Sequence, residues 1–319
     1  MTPTPPITTL LVSYNTRELL KPCLDALSAS EAAIGAGPVI IVDNASRDGS
    51  ADLIASAFPQ ATLIRSHRNL GFGRANNLAL PLLKTPYVLL LNTDAFVSPD
   101  TLSVTLAFMD ANPDCGILGV RLVGRDGALQ PSCRYFPTPW NEFLQRTGLS
   151  RWIRARMIDD MAWDHATPRD CDWVPGCYYL VRREVIEQVG LFDPRYFLYY
   201  EEVDHCLAAK RAGWRVVFFP HTQVVHLGGE SALKDGPISA SGRQVEQIQF
   251  ESALLYYRKN FGLTWAAAWA ALDILGDGIL AAKDVLKRRG GAAIRAHASR
   301  AASVVRLVAH TRLGARPTR

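Results

Sequence analysis

Residues 87–95, YVLLLNTDA, decide the fold. Tyr87-Val88-Leu89-Leu90-Leu91 is a short apolar run without polar alternation. That is the pattern of a strand buried on both faces, and such strands belong to parallel sheets covered by helices. The run stops at Asn92 and Asp94. In open α/β sheets ligands bind beyond the carboxyl ends of the strands, so an Asp leaving a strand two residues after an Asn can face a divalent metal and the phosphates it holds. Taken alone, the pair is more simply turn chemistry, which is the usual work of polar residues after a strand.

Working outward, Ile7–Ser13, Val39–Asp43 and Thr62–Arg65 are further short runs rich in β-branched or apolar residues, and the segments between them carry helical spacing. Leu19, Leu20, Cys23, Leu24 and Leu27 share one helix face, with Pro22 implying a late start or a kink. Ser50 reads as the N-cap of the next helix, and Ser98-Pro99-Asp100 opens another with a cap, a proline and an acid. This alternation predicts an α/β fold whose central sheet is mainly parallel, with helices on both faces. From about Gly116 strands (116–123, 214–219) mix with helices (183–189, 200–212). No internal repeat is visible.

The chain has 319 residues, 48% of them hydrophobic, enough for one large or two modest domains. Its net charge of +5 is unevenly spread. Residues 283–319 carry ten Lys or Arg against the single acid Asp284, about +9, which leaves about −4 for the rest. No motif for RNA or DNA accompanies the basic tail, so nucleic acid is not expected as a partner, and an anionic membrane surface is the better one. The six cysteines form no CxxC or zinc spacing, and no apolar signal segment precedes the first strand, which points to a reducing cytoplasm. Residues 263–282 are apolar enough to raise a membrane span. Asp273 and Asp277 would each cost roughly 2.5–3.5 kcal/mol at the bilayer centre, so an interfacial or docking helix, or packing on the body, is expected instead.

Five segments hold side chains that can do chemistry. Ser13-Tyr14-Asn15 ends the first strand where a nucleobase could stack or bond, and turn chemistry fits as well. Asp43 ends the second strand, where its carboxylate can accept a pyrimidine N–H. In NLGFGRANN (69–77) the glycine-rich turn lacks the third glycine of a dinucleotide fingerprint and follows the third strand, which disfavours a pyridine-nucleotide oxidoreductase. It still permits close approach to phosphate, with Arg74 and Asn77 in the first helical turn. Glu201, Glu202 and Asp204 open a helix after an aromatic run. Such acids commonly complement a helix dipole, yet an aromatic wall and like charges can also raise one carboxylate to the pKa of a general base. His226 could reach a metal through a ring nitrogen, while His221 after Pro220 reads as structural.

In this order, VSYNT, VDNASRDGS, NLGFGRANN, LNTDA, GRDGALQ, PGCYYLVRR, GLFDPRYFLYYEEVDHC, RAGW and VVHLGG resemble the inverting glycosyltransferases of family 2, in their bacterial rhamnosyltransferase-like branch. The resemblance spans roughly residues 7–230. It implies a GT-A fold with a nucleotide-sugar-binding half (1–115), an acceptor-binding and catalytic half (116–260) and a basic helical C-terminal extension (261–319). It implies that Asp43 contacts the base, with Ser13, Tyr14 and Asn15 around it. Asn69, Gly71, Phe72, Arg74, Asn77 and Asn92 complete the nucleotide-sugar site, Asn92 standing where the family's motif has its first acid. Asp94 and His226 would hold the cofactor, a divalent Mg²⁺ or Mn²⁺. Glu202 would be the base, with Trp173, Gly176, Glu201 and Asp204 on the acceptor side. The implied partners are dTDP-rhamnose, or next a UDP-sugar, and a glycan or lipid-linked acceptor. The implied place is the cytoplasm or the inner face of its membrane. A nucleotide-sugar-binding protein that no longer catalyses is the alternative, supported by Asn92.

Overall fold

The computed structural model describes residues 6–153, 155–228 and 242–319; Gly229, the second glycine after His226, lies outside them. The strands are β1 (Ile7–Ser13), β2 (Val39–Asp43), β3 (Thr62–Arg65), β4 (Tyr87–Leu91), β5 (Ala95–Val97), β6 (Cys115–Val123), β7 (Leu129–Gln130), β8 (Arg169–Asp170), β9 (Tyr178–Arg182) and β10 (Arg215–His226). The helices are α1 (Arg17–Glu31), α2 (Ser50–Ala57), α3 (Phe72–Asn77), α4 (Thr101–Ala111), α5 (Pro139–Thr147), α6 (Arg183–Val189), α7 (Glu201–Arg211), α8 (Gly242–Phe261), α9 (Leu263–Leu286) and α10 (Gly291–His310). The chain forms two compact units, one of residues Met1–Arg134, Met161–Pro194 and Glu201–Ser239, the other of Tyr135–Asp160, Arg195–Tyr200 and Ala240–Arg319.

The first unit is built on one sheet in the order β3-β2-β1-β4-β9-β6-β10-β5, with β7 on β6 and β8 on β10. The expected parallel arrangement holds from β3 to β4. Beyond β4 the sheet is mixed, because β9 runs antiparallel to both β4 and β6 while β10 is parallel to β6. All five residues of β4 are buried, which is why the segment carries no polar alternation. β1 and β4 contribute Leu11, Leu89 and Leu91 to a core that α1 closes with Leu20, Cys23, Leu24 and Leu27.

Four local expectations shift. Helix α1 begins at Arg17 and runs through Pro22, so the proline does not delay it. Ser50 is the first residue of α2 and not its cap, since the Asp48 carboxylate accepts both its N–H at 3.0 Å and its hydroxyl at 2.6 Å. Helix α4 starts at Thr101, past Ser98-Pro99-Asp100. The strand expected to stop at Phe219 continues as β10 to His226, with a register shift between Phe219 and Gln223 that accommodates Pro220.

In the second unit, α5 carries a capping box between Thr138 and Asn141. Helix α9 turns its acids inward. Arg146 of α5 donates to Asp273 at 2.9 Å and also pairs with Asp277, and Arg300 of α10 reaches the same two carboxylates at 2.8 and 3.0 Å. His297 stands 3.2 Å from Asp284. The charges that argued against apolar surroundings are thus neutralised inside the unit. Among the described residues α9 is the one helix long and apolar enough to cross a membrane.

Candidate functional site

The register of β1 on β2 sets Ser13 opposite Asp43 at the carboxyl ends, and the Asn44 N–H closes the pair on the Ser13 carbonyl at 2.8 Å. Asp43 is buried. Its Oδ2 accepts the Ser46 N–H at 3.2 Å, whereas Oδ1 is shut from solvent and has no hydrogen-bond partner. Ser13 and Asn15 serve the loop itself. The Ser13 hydroxyl bonds that of Thr16 at 3.0 Å, and Asn15, in the left-handed region at φ 54°, accepts the Arg47 N–H at 2.8 Å. Tyr14 is half-buried beside them.

The glycine-rich segment is tied down by amides. Asn69 accepts from the Asn44 side chain at 3.0 Å and from the Gly71 N–H at 2.9 Å. Arg74 and Asn77, expected near phosphate, each hold main-chain groups of residues 192–194. Arg74 donates through Nε to the Pro194 carbonyl at 2.5 Å, and Asn77 brackets Phe192, donating to its carbonyl at 2.6 Å and accepting its N–H at 3.2 Å. Phe72 packs 5.8 Å from Phe192 between ring centroids, and a Cβ on Gly73 would come within 3.1 Å of the Phe192 Cβ. Segment 69–77 therefore forms a wall on residues 192–194, close to the start of α7.

At the end of β4, the Asn92 N–H bonds the Cys177 carbonyl at 3.0 Å, and the Asn92 carbonyl takes the Ala95 N–H at 3.1 Å, closing a turn with Asp94 inside it. Asp94 precedes β5, whose Ala95 pairs with His226 at the end of β10. The Leu227 N–H bonds the Asp94 carbonyl at 3.0 Å, and His226 Nε2 lies 3.7 Å from Asp94 Oδ1. Gln130 sets the imidazole. Its Nε2 donates to the His226 carbonyl at 2.9 Å, so its Oε1 accepts from Nδ1 at 3.0 Å, which assigns the ring proton to Nδ1 and leaves the Nε2 lone pair on the side of Asp94. A carboxylate oxygen and an oriented imidazole nitrogen suit Mg²⁺ or Mn²⁺. Among the described residues no cluster of three or more His, Cys, Asp or Glu could hold a metal, so an ion on these two would need further oxygens from a bound ligand.

Glu202 lies in the first turn of α7, immediately after Tyr199 and Tyr200, which both have positive φ (70° and 68°). Burial raises its carboxyl above the usual range, while its own backbone N–H, the charge of Arg134 and the Gly176 N–H pull the other way. Its Oε2 is shut from solvent without a hydrogen-bond partner. A Cβ on Gly176 would meet Phe72 Cε1 at 3.3 Å, so the absence of a side chain there lets the aromatic ring and the Glu202 contact coexist. Glu201 and Asp204, expected on the acceptor side, are 2% and 4% exposed. Trp173 is 6% exposed, with the Arg134 guanidinium 4.3 Å over its ring. One helical turn on, His205 donates from Nε2 to the Gly190 carbonyl at 3.0 Å and accepts the Tyr179 hydroxyl on Nδ1 at 2.7 Å, fastening α7 to β9.

Cys177 relates the two carboxylates. Its buried thiol is pushed up by desolvation and by the negative charge of Asp94, and more weakly by that of Glu202. Asp94 and Glu202 therefore both act on one residue, the one just before β9. The sequence reading missed Gln130 and Arg134, although Gln130 closes the quoted segment GRDGALQ and Arg134 follows four residues later.

Residues 8–190 match Glycosyl transferase family 2. Over 215 residues the chain is 30% identical to N-acetylglucosaminyl-diphospho-decaprenol L-rhamnosyltransferase of Mycobacterium tuberculosis, an alignment covering 62% of this chain and 68% of that protein. It is 24% identical over 230 residues to dTDP-rhamnosyl transferase RfbF of Shigella flexneri, covering 70% and 71%. Among solved structures, the mannosyltransferase PcManGT of Pyrobaculum calidifontis, in complex with GDP-Man and Mn²⁺, aligns with a TM-score of 0.55 at 18% identity, over 98% of this chain and 88% of that one. The chain belongs to glycosyl transferase family 2, with a GT-A-type α/β fold and a helical C-terminal region.

Proposed function

We propose that this glycosyltransferase moves a sugar, with inversion, from a nucleoside diphosphate to a hydroxyl of a glycan or lipid-linked acceptor in cell-surface polysaccharide synthesis. The observation that carries this reading is the oriented imidazole of His226 beside Asp94 at the end of β4, in the same unit as Glu202 in the first turn of α7, because one displacement needs a diphosphate grip and a base in one site. Glu202 takes the proton of the acceptor hydroxyl, a role to which burial and a solvent-shielded Oε2 suit it. The hydroxyl attacks the anomeric carbon, the bond to the diphosphate breaks on the opposite face, and no covalent enzyme intermediate forms. Asp94 and His226 would hold Mg²⁺ or Mn²⁺, which supplies charge compensation to the departing diphosphate. The Mn²⁺ bound by the mannosyltransferase neighbour supports this assignment. The Asp43 carboxylate accepts a base N–H, as thymine and uracil both offer, and the rhamnosyltransferase relatives favour dTDP-rhamnose over a UDP-sugar. On this reading residues 1–115 bind the donor and 116–260 the acceptor. The 261–319 extension holds the enzyme on the inner face of an anionic membrane.

Transfer of radiolabelled sugar by wild type, Glu202→Gln and Asp94→Ala, alongside thermal-shift titrations with dTDP-, UDP- and GDP-sugars plus Mn²⁺, tests the proposal. A donor at 100 times its Kd raises stability by about 2.7 kcal/mol. Glu202→Gln should keep that shift and lose turnover, and Asp94→Ala should lose both. Full turnover in Glu202→Gln moves the base elsewhere, and binding without transfer in the wild type favours a non-catalytic binding protein.

A further inference from the structure

Among the described residues Trp152 is the most exposed large apolar side chain, at 85%, and Ile153 beside it is exposed as well. An indole this far outside adds little to its own core, so its apolar surface is left for something beyond the fold. The backbone under it is ordered. Gly148, left-handed at φ 72°, ends α5, and the N–H groups of Trp152 and Ile153 both bond the Leu149 carbonyl, at 2.9 and 3.0 Å. The turn is therefore held by main-chain bonds while its two apolar side chains point away from them.

This turn leaves the helical unit where α9 also ends. The Trp269 indole donates to Glu142 at 2.5 Å, Arg146 donates to Asp273 at 2.9 Å, and Lys283 Nζ donates to the Thr147 carbonyl at 2.6 Å. Partners thus advance together along both helices, so α5 and α9 run in the same direction and finish side by side. Just past Lys283, α9 exposes Val285 and Leu286, the latter at 83%. Cations flank both apolar pairs, since Arg151 in the first turn and Lys287, Arg288 and Arg289 in the second are exposed. Neither 148–156 nor 285–319 contains an Asp or Glu. The last acid, Asp284, is taken up by Arg289 at 3.3 Å and His297 at 3.2 Å.

We infer that the turn at 149–153 and the end of α9 form one docking surface for an anionic membrane, with Trp152 as its interfacial anchor. The inference deepens the proposed function and rests on the membrane location given there to the 261–319 extension, which it widens to a segment outside that extension. A tryptophan at headgroup depth buries its ring and keeps its N–H hydrated, while neighbouring cations meet the lipid phosphates. The apolar side chains stand singly on two turns and line no groove. Such a surface suits a fluid layer that closes around each of them better than a folded acidic partner.

Co-sedimentation of the full chain with vesicles of phosphatidylcholine and phosphatidylglycerol, against phosphatidylcholine alone, tests the surface. Trp152→Ala should weaken partitioning about tenfold to hundredfold, the range for withdrawing one large apolar side chain from burial, and Trp152→Phe should keep most of it. Arg151→Gln should weaken it about fivefold, an effect lost at high ionic strength. With bromine on the acyl chains, tryptophan quenching at equal bound fraction should be smaller in Trp152→Phe than in wild type, which reads the depth of this side chain directly. Wild-type partitioning in Trp152→Ala, or undiminished quenching in Trp152→Phe, overturns the inference and leaves the membrane to the extension. Absence of wild-type binding removes the membrane location altogether. A wild-type oligomer that Trp152→Ala dissolves in sedimentation velocity makes a second copy the occupant and also overturns it. Transfer to a soluble acceptor should be unaltered in Trp152→Ala, which keeps each of these failures apart from failure of the transferase reading.

Discussion

Nε2 of His226 stands 3.7 Å from Oδ1 of Asp94, and the side chain of Gln130 determines which ring nitrogen is presented there. A metal-ligating histidine depends on the group that holds its other nitrogen, and loss of such a partner typically costs 10–100-fold in metal affinity. Gln130→Ala should therefore raise the Mn²⁺ concentration for half-maximal donor binding by about 10–100-fold, with little change in melting temperature. Gln130→Glu should largely preserve it, since a carboxylate also accepts from Nδ1. An unchanged Mn²⁺ dependence in Gln130→Ala removes His226 from the ligand set.

Gly176 lends its N–H to Glu202 and is held sterically by Phe72. Alanine there would place its Cβ 3.3 Å from Phe72 Cε1, tight enough that either the ring or the 176 peptide has to move. If the peptide moves, the N–H to Glu202 is lost. Turnover should fall about tenfold with donor affinity unaffected, the signature of a misplaced reacting group. Phe72→Leu in the same chain should restore most of the loss by giving the Cβ room. Equal turnover in Gly176→Ala and wild type would show that the Gly176 contact is dispensable.

How these parts could be seen beforehand varies with the range of the interaction. Asp43, Asp94 and Glu202 stand where an apolar run ends or a helix begins, so local periodicity locates them. Arg74 and Asn77 follow a glycine-rich turn, which local pattern shows, whereas their bonds to main-chain groups of residues 192–194, more than a hundred positions away, are invisible to it. The mixed half of the sheet was hidden for the same reason. Strands β5, β7 and β8 have two or three residues each and exist through pairing with β10 or β6, and Pro220 reads as a strand terminator unless the register shift beside it is known. Gln130 acts through that pairing too, since β7 on β6 brings it to the end of β10.

Glu142 supplies a pH-dependent term in the second unit. It is half-buried, accepts the Tyr200 hydroxyl at 2.6 Å and the Trp269 indole N–H at 2.5 Å, and desolvation pushes its pKa up to about 7 despite those donors. Because the folded form holds the proton more tightly than the unfolded chain, its contribution is fully present below about pH 4.5 and is lost as pH rises through about 7. The loss is of the order of 3 kcal/mol. Glu142→Gln cannot ionise, so its melting temperature relative to wild type should climb by several degrees between pH 5 and pH 8. A difference constant with pH would mean that Glu142 is ionised throughout, held by its donors.

Helix α9 sends Asp273, Asp277 and Asp284 inward to Arg146, Arg300 and His297, so the carboxylates that would oppose contact with lipid do not face it. What remains outside is apolar. Leu263, Trp265, Leu275, Val285 and Leu286 are exposed, and the helix runs directly into exposed Lys287, Arg288 and Arg289. Apolar surface ending in cations is the composition that lies in the headgroup region of an anionic leaflet. Each basic residue contributes about 1 kcal/mol there, so neutralising Lys287, Arg288 and Arg289 to Gln should weaken partitioning onto phosphatidylglycerol vesicles about a hundredfold. Leu275→Asp with Val285→Asp should weaken it independently of salt, while the Gln triple variant should lose its effect at high ionic strength. Both sets change exposed side chains and cost at most the ion pair of Arg289 with Asp284 at 3.3 Å, so melting temperature should change little, and unaltered vesicle co-sedimentation in either set would place the helix against something other than lipid.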